Sequence, residues 1–115
     1  MVAEKLEAIV TFGMANSRMK DYFDLRALAK EGAVGPGTLA QAIAATFARR
    51  GTPLPTELPL GLSDEFAGDR TKLAQWGAFL RRNRLEAPTL AAVVREVREF
   101  VEAPLEAARQ STKRP

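Results

Sequence analysis

Ten consecutive residues, Asn16-Ser17-Arg18-Met19-Lys20-Asp21-Tyr22-Phe23-Asp24-Leu25, hold more reactive side chains than any other stretch of this chain. Asp21 and Asp24 are three apart, a spacing that puts both carboxylates on one helix face. A helix opening near Met19 places them close to its N-terminus, where unpaired backbone N–H groups favour negative charge. The same pattern suits a solvated first turn whose charges merely complement the helix dipole. The residue types leave both readings open.

What else is available for chemistry is limited. There is no histidine and no cysteine. Disulfides, thiolate zinc sites and cysteine nucleophiles are therefore excluded, and so is the usual neutral-pH base. Any catalysis has to run on Asp, Glu, Lys, Arg, Ser, Thr or Tyr, and any metal has to be a hard, oxygen-seeking ion such as magnesium. Two basic groups, Arg49-Arg50 and Arg81-Arg82 with Arg84, fall at predicted helix C-termini. There they complement the dipole and aid solubility, or else they contact phosphates of a nucleic acid. The net charge of +3 permits a polyanionic partner without demanding one.

The elements that must position these groups read as helices. The 115 residues suit one domain, and 46% hydrophobic with 27% charged residues is the balance of a globular chain. Val2, Leu6, Ile9, Val10 and Gly13 trace one face of a first helix, with Glu4, Lys5 and Glu7 largely off it. Asn16-Ser17 predicts a break. A second helix runs from about Met19 to Lys30, with Tyr22, Leu25, Leu28 and Ala29 inward, and Gly32 stops it. Thr38 is placed as the N-cap of a third helix ending at Gly51, with Leu39, Ala42, Ile43, Thr46 and Phe47 inward.

Prolines 53, 55 and 59 forbid a regular helix over 52–59. The leucines among them predict a strap lying across the bundle. Ser63 caps a short turn, Asp69 caps a helix to about Asn83, and Pro88 is placed in the first turn of a last helix that Pro104 ends or kinks. Trp76, Phe79, Leu73, Phe47, Ile43, Leu28 and Val97 are predicted to share the core. The expected fold is all-α, a bundle of four or five helices with a proline-rich crossing segment. Residues 1–109 form its single domain, and residues 110–115 form a frayed basic tail. No apolar run approaches the ~20 residues of a membrane span, and the start lacks the order of a signal peptide, so a cytoplasmic location is expected.

Ala3-Glu4-Lys5, followed by Arg18-Met19-Lys20-Asp21-Tyr22-Phe23-Asp24-Leu25, resembles the paired late motifs of the AbiEii/AbiGii family. These are nucleotidyltransferase-like toxins of type IV toxin–antitoxin and abortive-infection systems. Ala48-Arg49-Arg50-Gly51-Thr52-Pro53-Leu54-Pro55 and Gln75-Trp76-Gly77-Ala78-Phe79-Leu80-Arg81-Arg82 are similar to the tail of many members, so the likeness reaches about Arg109.

The resemblance implies that Lys5 and Asp21, with Asp24 a further candidate, complete an active site whose metal ligands come earlier. It also implies an RNA substrate such as tRNA and a cognate antitoxin. A complete member would use magnesium and a nucleoside triphosphate. This sequence contains neither the Gly-Ser turn nor the Asp-x-Asp pair that begins such a site. The implied reading is a truncated, fragmentary or separately completed enzyme, inactive alone and holding no cofactor itself. Its catalytic half would lie upstream or on another polypeptide. From a different class, a helical interaction module that binds a partner protein or homodimerises fits the same residues.

Overall fold

The computed structural model describes residues 2–113, with side chains to residue 111. Among these are six α-helices and no strand. They are α1 (Val2–Phe12), α2 (Met19–Glu31), α3 (Pro36–Arg50), α4 (Asp64–Gly68), α5 (Arg70–Asn83) and α6 (Leu90–Lys113), with 3₁₀ turns at Gly13–Ala15 and Leu60–Leu62. The all-α expectation holds, and the five long helices with one short turn-like helix match the anticipated bundle.

Local sequence sets most of the boundaries. Gly32 and Gly51 take the left-handed conformation at the ends of α2 and α3, which a residue without Cβ adopts freely. The Ser63 hydroxyl accepts from the Phe66 N–H at 3.1 Å, and the Asp69 carboxylate from the Lys72 N–H at 3.0 Å. Both are side-chain caps of the anticipated kind.

Two starts differ from the sequence reading. Helix α3 opens at Pro36 with Gly35 as N-cap, not after Thr38, because the ring of Pro36 already fixes a helical φ and its missing N–H is no loss at that position. Helix α6 opens at Leu90 beyond Pro88. The Thr89 hydroxyl accepts from the Ala92 N–H at 3.2 Å and so provides the cap, while the Pro88 carbonyl accepts from the Trp76 indole N–H at 3.2 Å. Helix α6 also runs through Pro104 to Lys113, with Val101, Leu105 and Ala108 packed into the core on both sides of the proline. Residues 110–113 thus continue the helix, and residues 114–115 lie outside the described part.

The core sits where α6 crosses α2 and α3, with α1 packed along α3. Leu6, Ile9, Tyr22, Leu25, Ile43, Phe47, Phe66, Val93 and Val97 are all fully buried there. Trp76 is buried, and Phe79 and Leu28 pack against the cluster from its edge. Leu73 is not part of it. It is 44% exposed, and its neighbour Lys72 is buried instead, because the inward face of α5 runs through Lys72 and Trp76 rather than Leu73. Ala42 likewise faces solvent, and Ala40 takes the inward position on α3.

The proline-rich segment does lie on the bundle. The Thr52 hydroxyl donates to Glu7 at 2.7 Å, Arg109 donates to the Pro55 carbonyl at 2.7 Å, and Leu54 packs on the core. Leu58, in contrast, projects into solvent.

Candidate functional site

Helices α1 and α2 meet at an elbow formed by the 3₁₀ turn Gly13–Ala15 and the extended residue Asn16. The Asn16 side chain accepts from the Arg18 N–H at 3.0 Å, a short-range bond that starts α2 in place of a cap on Arg18 itself. Asp21 falls in the first turn of α2, with Asp24 one turn further on. Lys5 is one turn into α1.

The elbow brings the three together. The Lys5 ammonium lies 3.3 Å from Asp21 Oδ1 and 3.1 Å from Asp24 Oδ2. Lys20 reaches the same Asp24 oxygen at 2.7 Å, and Arg18 Nε stands 3.3 Å from Asp21 Oδ2. A straight antiparallel hairpin would have separated Lys5 from Asp21 by about 15–20 Å, given about 1.5 Å of rise per residue. The observed elbow closes that gap to 3.3 Å.

Burial within the cluster is graded. Asp24 and Lys5 are half-buried, whereas Asp21 is only 3% exposed. Asp21 therefore forms the floor of the cluster, not part of an exposed rim, because Arg18 and Lys5 cover it. Its Oδ2 is buried and accepts no hydrogen bond of good geometry.

The electrostatics follow from these contacts. Burial pulls the Lys5 ammonium down, but the hydrogen bond to Asp24 and the charges of Asp24 and Asp21 outweigh it, so its pKa is raised. Burial would raise the Asp24 carboxyl, yet hydrogen bonds from Lys20 and Lys5 hold it below the ordinary value. Each side of the pair is thus kept in its charged form.

Beside the cluster, Glu4, Lys5, Arg18 and Arg50 line an open groove of about 380 Å³. Arg50 reaches it from the end of α3, held by Glu7 at 2.8 Å, and Arg49 pairs with Glu4 at 3.8 Å. The structure therefore joins one predicted basic group to the Lys5 cluster. The other, Arg81, Arg82 and Arg84, stays exposed at the far end of α5 and its cap. Among the described residues no group of three or more His, Cys, Asp or Glu side chains converges as a metal site would require.

Two residues of this region were not marked as functional in the sequence. Glu7 was placed off the buried face, yet it is buried and accepts from Thr11 and Thr52 at 2.7 Å each and from Arg50 at 2.8 Å. Arg18, read only as part of a motif, closes the cluster over Asp21. For Glu7 one clue is local, a threonine four residues on, which a helix sets on the same side.

A helical domain that presents a lysine between two carboxylates at an interhelical elbow is the class of protein defined here. The family model of the AbiEii nucleotidyl transferase toxin of type IV toxin–antitoxin systems matches residues 1–103. The chain belongs to that family, and membership implies a cognate antitoxin. No curated protein and no solved structure matches it. No helix among the described residues is long and apolar enough to cross a membrane.

Proposed function

We propose that this chain is the helical, substrate-positioning portion of a nucleotidyltransferase-type toxin acting in the cytoplasm, with Lys5, Asp21 and Asp24 as its contribution to the active site. The observation that supports this most is the seat of the Lys5 ammonium, within 3.3 Å of both carboxylates across the α1–α2 elbow. In this reading Lys5 turns toward the phosphates of a bound nucleotide and offsets developing negative charge. As Lys5 and Arg18 turn to the phosphates they uncover Asp21, which takes the proton of the attacking hydroxyl. Asp24 holds Lys5 charged and in place. Arg49 and Arg50, beside the groove, and Arg81, Arg82 and Arg84 contact the RNA backbone, with tRNA as the acceptor class.

The residues present do not make a magnesium site by themselves. Two carboxylates that share one ammonium are a poor donor set for an ion that wants several oxygens in octahedral array. The sequence has no Asp-x-Asp. The metal-binding half, on the same or a separate polypeptide, is accordingly required, and this chain alone transfers no nucleotide.

The test is direct. The pure chain, incubated with magnesium, labelled nucleoside triphosphates and tRNA, should leave the RNA unlabelled. Magnesium–nucleotide added to it at millimolar concentration should shift the NMR signals of Lys5 and the 18–24 segment, and Lys5→Met should abolish the shifts. Robust metal-dependent labelling by the chain alone would overturn the division of labour. Identical shifts in Lys5→Met would remove Lys5 from the site.

A further inference from the structure

Lys72 is a lysine in the interior, 5% exposed, and nothing in the Lys5–Asp21–Asp24 cluster uses it. Taking an ammonium out of water costs several kcal/mol unless it is well partnered, so its partners are informative. Its Nζ donates to the Asn16 backbone carbonyl at 2.8 Å and lies 5.4 Å from the centre of the Phe66 ring. Asn16 is 1% exposed and is the residue where the chain turns from the end of α1 into α2. Its N–H donates to the Gly13 carbonyl at 3.1 Å, and its side chain accepts from the Arg18 N–H at 3.0 Å. The Arg18 carbonyl in turn accepts from the Asp21 N–H at 3.0 Å. Hydrogen bonds therefore run from α5, through Lys72, to the elbow and on to Asp21.

Resting on the reading of the cluster given above, we infer that Lys72 is a positioning residue. By holding the Asn16 carbonyl it fixes the angle between α1 and α2, and with it the distance from Lys5 to Asp21 and Asp24. Lys72 never meets substrate, since it is enclosed. Its charge is a directional tether where an apolar side chain would only fill space. The group it grips is a backbone carbonyl, present whatever side chain stands at position 16.

Lys72→Met separates the tether from simple packing. It keeps an unbranched apolar stem of nearly the same length, and it deletes the charge, the donor and the ammonium's contact with the Phe66 ring. The readouts are the carboxyl titration of Asp24 and amide exchange at 18–21, both by NMR on the full chain. Asp24 faces Lys5 from α1 and Lys20 on its own helix, beside Asp21 with its Arg18 partner.

In Lys72→Met the Asp24 midpoint should rise toward the ordinary carboxylate value as Lys5 draws away. The elbow amides should exchange roughly tenfold faster or more, and those in the centre of α6 much less so. Val97→Ala, which loosens the core on α6 and touches none of the hydrogen bonds that run from Lys72 to Asp21, should lower global stability and leave the Asp24 midpoint alone. An unchanged Asp24 midpoint and unchanged elbow exchange in Lys72→Met would overturn the inference. So would a shift in Val97→Ala as large as that in Lys72→Met.

If Lys72→Met does not fold, Lys72→Gln serves, being too short to reach the carbonyl, with the same results supporting or overturning the inference. Nucleotide binding is not read here. A tether that responds as stated in a chain whose Lys5 ignores magnesium–nucleotide would stand while the functional reading fell.

Discussion

The Glu7 carboxylate on α1 accepts a hydrogen bond from the Thr52 hydroxyl at 2.7 Å, across 45 positions of sequence. Thr11 and Arg50 bond the same carboxylate, so one buried acid ties α1 to the end of α3 and to the first residue of the proline-rich segment. Replacing Glu7 with Gln removes the charge and puts an amide N–H where a donor already points. Urea denaturation should show a loss of about 1–3 kcal/mol. The Arg50 side chain, freed from its anchor, should also leave the groove beside Lys5.

Acid should destabilise the domain through the same carboxylate and Asp24. Hydrogen bonds from Thr11 and Thr52, opposed by burial and reinforced by Arg50, hold Glu7 below its ordinary 4.5, and Asp24 lies below its ordinary 3.8. A lowered folded-state pKa gives stability that is present above the unfolded value and lost as pH falls through the folded one. The urea midpoint should accordingly be flat near neutrality and fall from about pH 4.5 downward. Glu7→Gln should flatten part of that acid limb. Lys5 has the opposite sign: its raised pKa gives stability present below 10.5 and lost as pH climbs through the folded value above that.

Two neighbours on α5 should respond very differently to truncation. Trp76 is buried between Phe79 and the core and donates to the Pro88 carbonyl. Trp76→Ala should cost about 3–5 kcal/mol, a large part of the roughly 5–15 kcal/mol that holds a domain folded. Leu73 faces water, and Leu73→Ala should stay within about 0.5 kcal/mol. Thermal or urea unfolding of the two variants checks the register of α5.

Gly61 leaves no room for a side chain where it packs against α1. A Cβ there would meet Ile9 Cγ2 at 2.8 Å, the Ile9 carbonyl oxygen at 3.0 Å and the Tyr22 hydroxyl at 3.1 Å. Gly61→Ala should destabilise by about 1–3 kcal/mol through overpacking. The Tyr22 hydroxyl donates to the Gly61 carbonyl at 2.7 Å inside the core, and burial pushes its pKa well above the ordinary tyrosine value. Tyr22→Phe leaves that carbonyl unpaired and should cost about 1–3 kcal/mol. Fluorescence-detected unfolding, with Trp76 as the probe, measures both.

Much of the fold was legible because its signals are local. Apolar residues recur with the 3.6-residue helical period, Ser63 and Asp69 sit where a helix needs an acceptor, and Gly32 and Gly51 sit where it needs a left-handed residue. The misread starts at Thr38 and Pro88 are local as well. In each, two capping signals lay within three residues, and the bond or fixed dihedral that won was decided by a neighbouring atom. Which face of α5 turned inward was harder to read. Leu73 is the more apolar residue, but only the longer Lys72 reaches the Asn16 carbonyl.

The sequence by itself determined that this is a helical protein with a Lys-and-Asp motif of the AbiEii kind, because helix period, caps and a short motif are properties of neighbouring residues. It also determined which chemistry is impossible, since a chain without His or Cys has no imidazole and no thiolate anywhere. Only the tertiary structure decided that Lys5 meets Asp21 and Asp24 within 3.3 Å, that Asp21 lies under Arg18, and that Glu7 and Lys72 are interior charges. Those outcomes depend on the angle at Asn16 and on side chains from α3 and α5. Such partners lie 43 to 56 positions away in the chain, and a charged side chain goes inside only when packing brings it a partner that local sequence does not name.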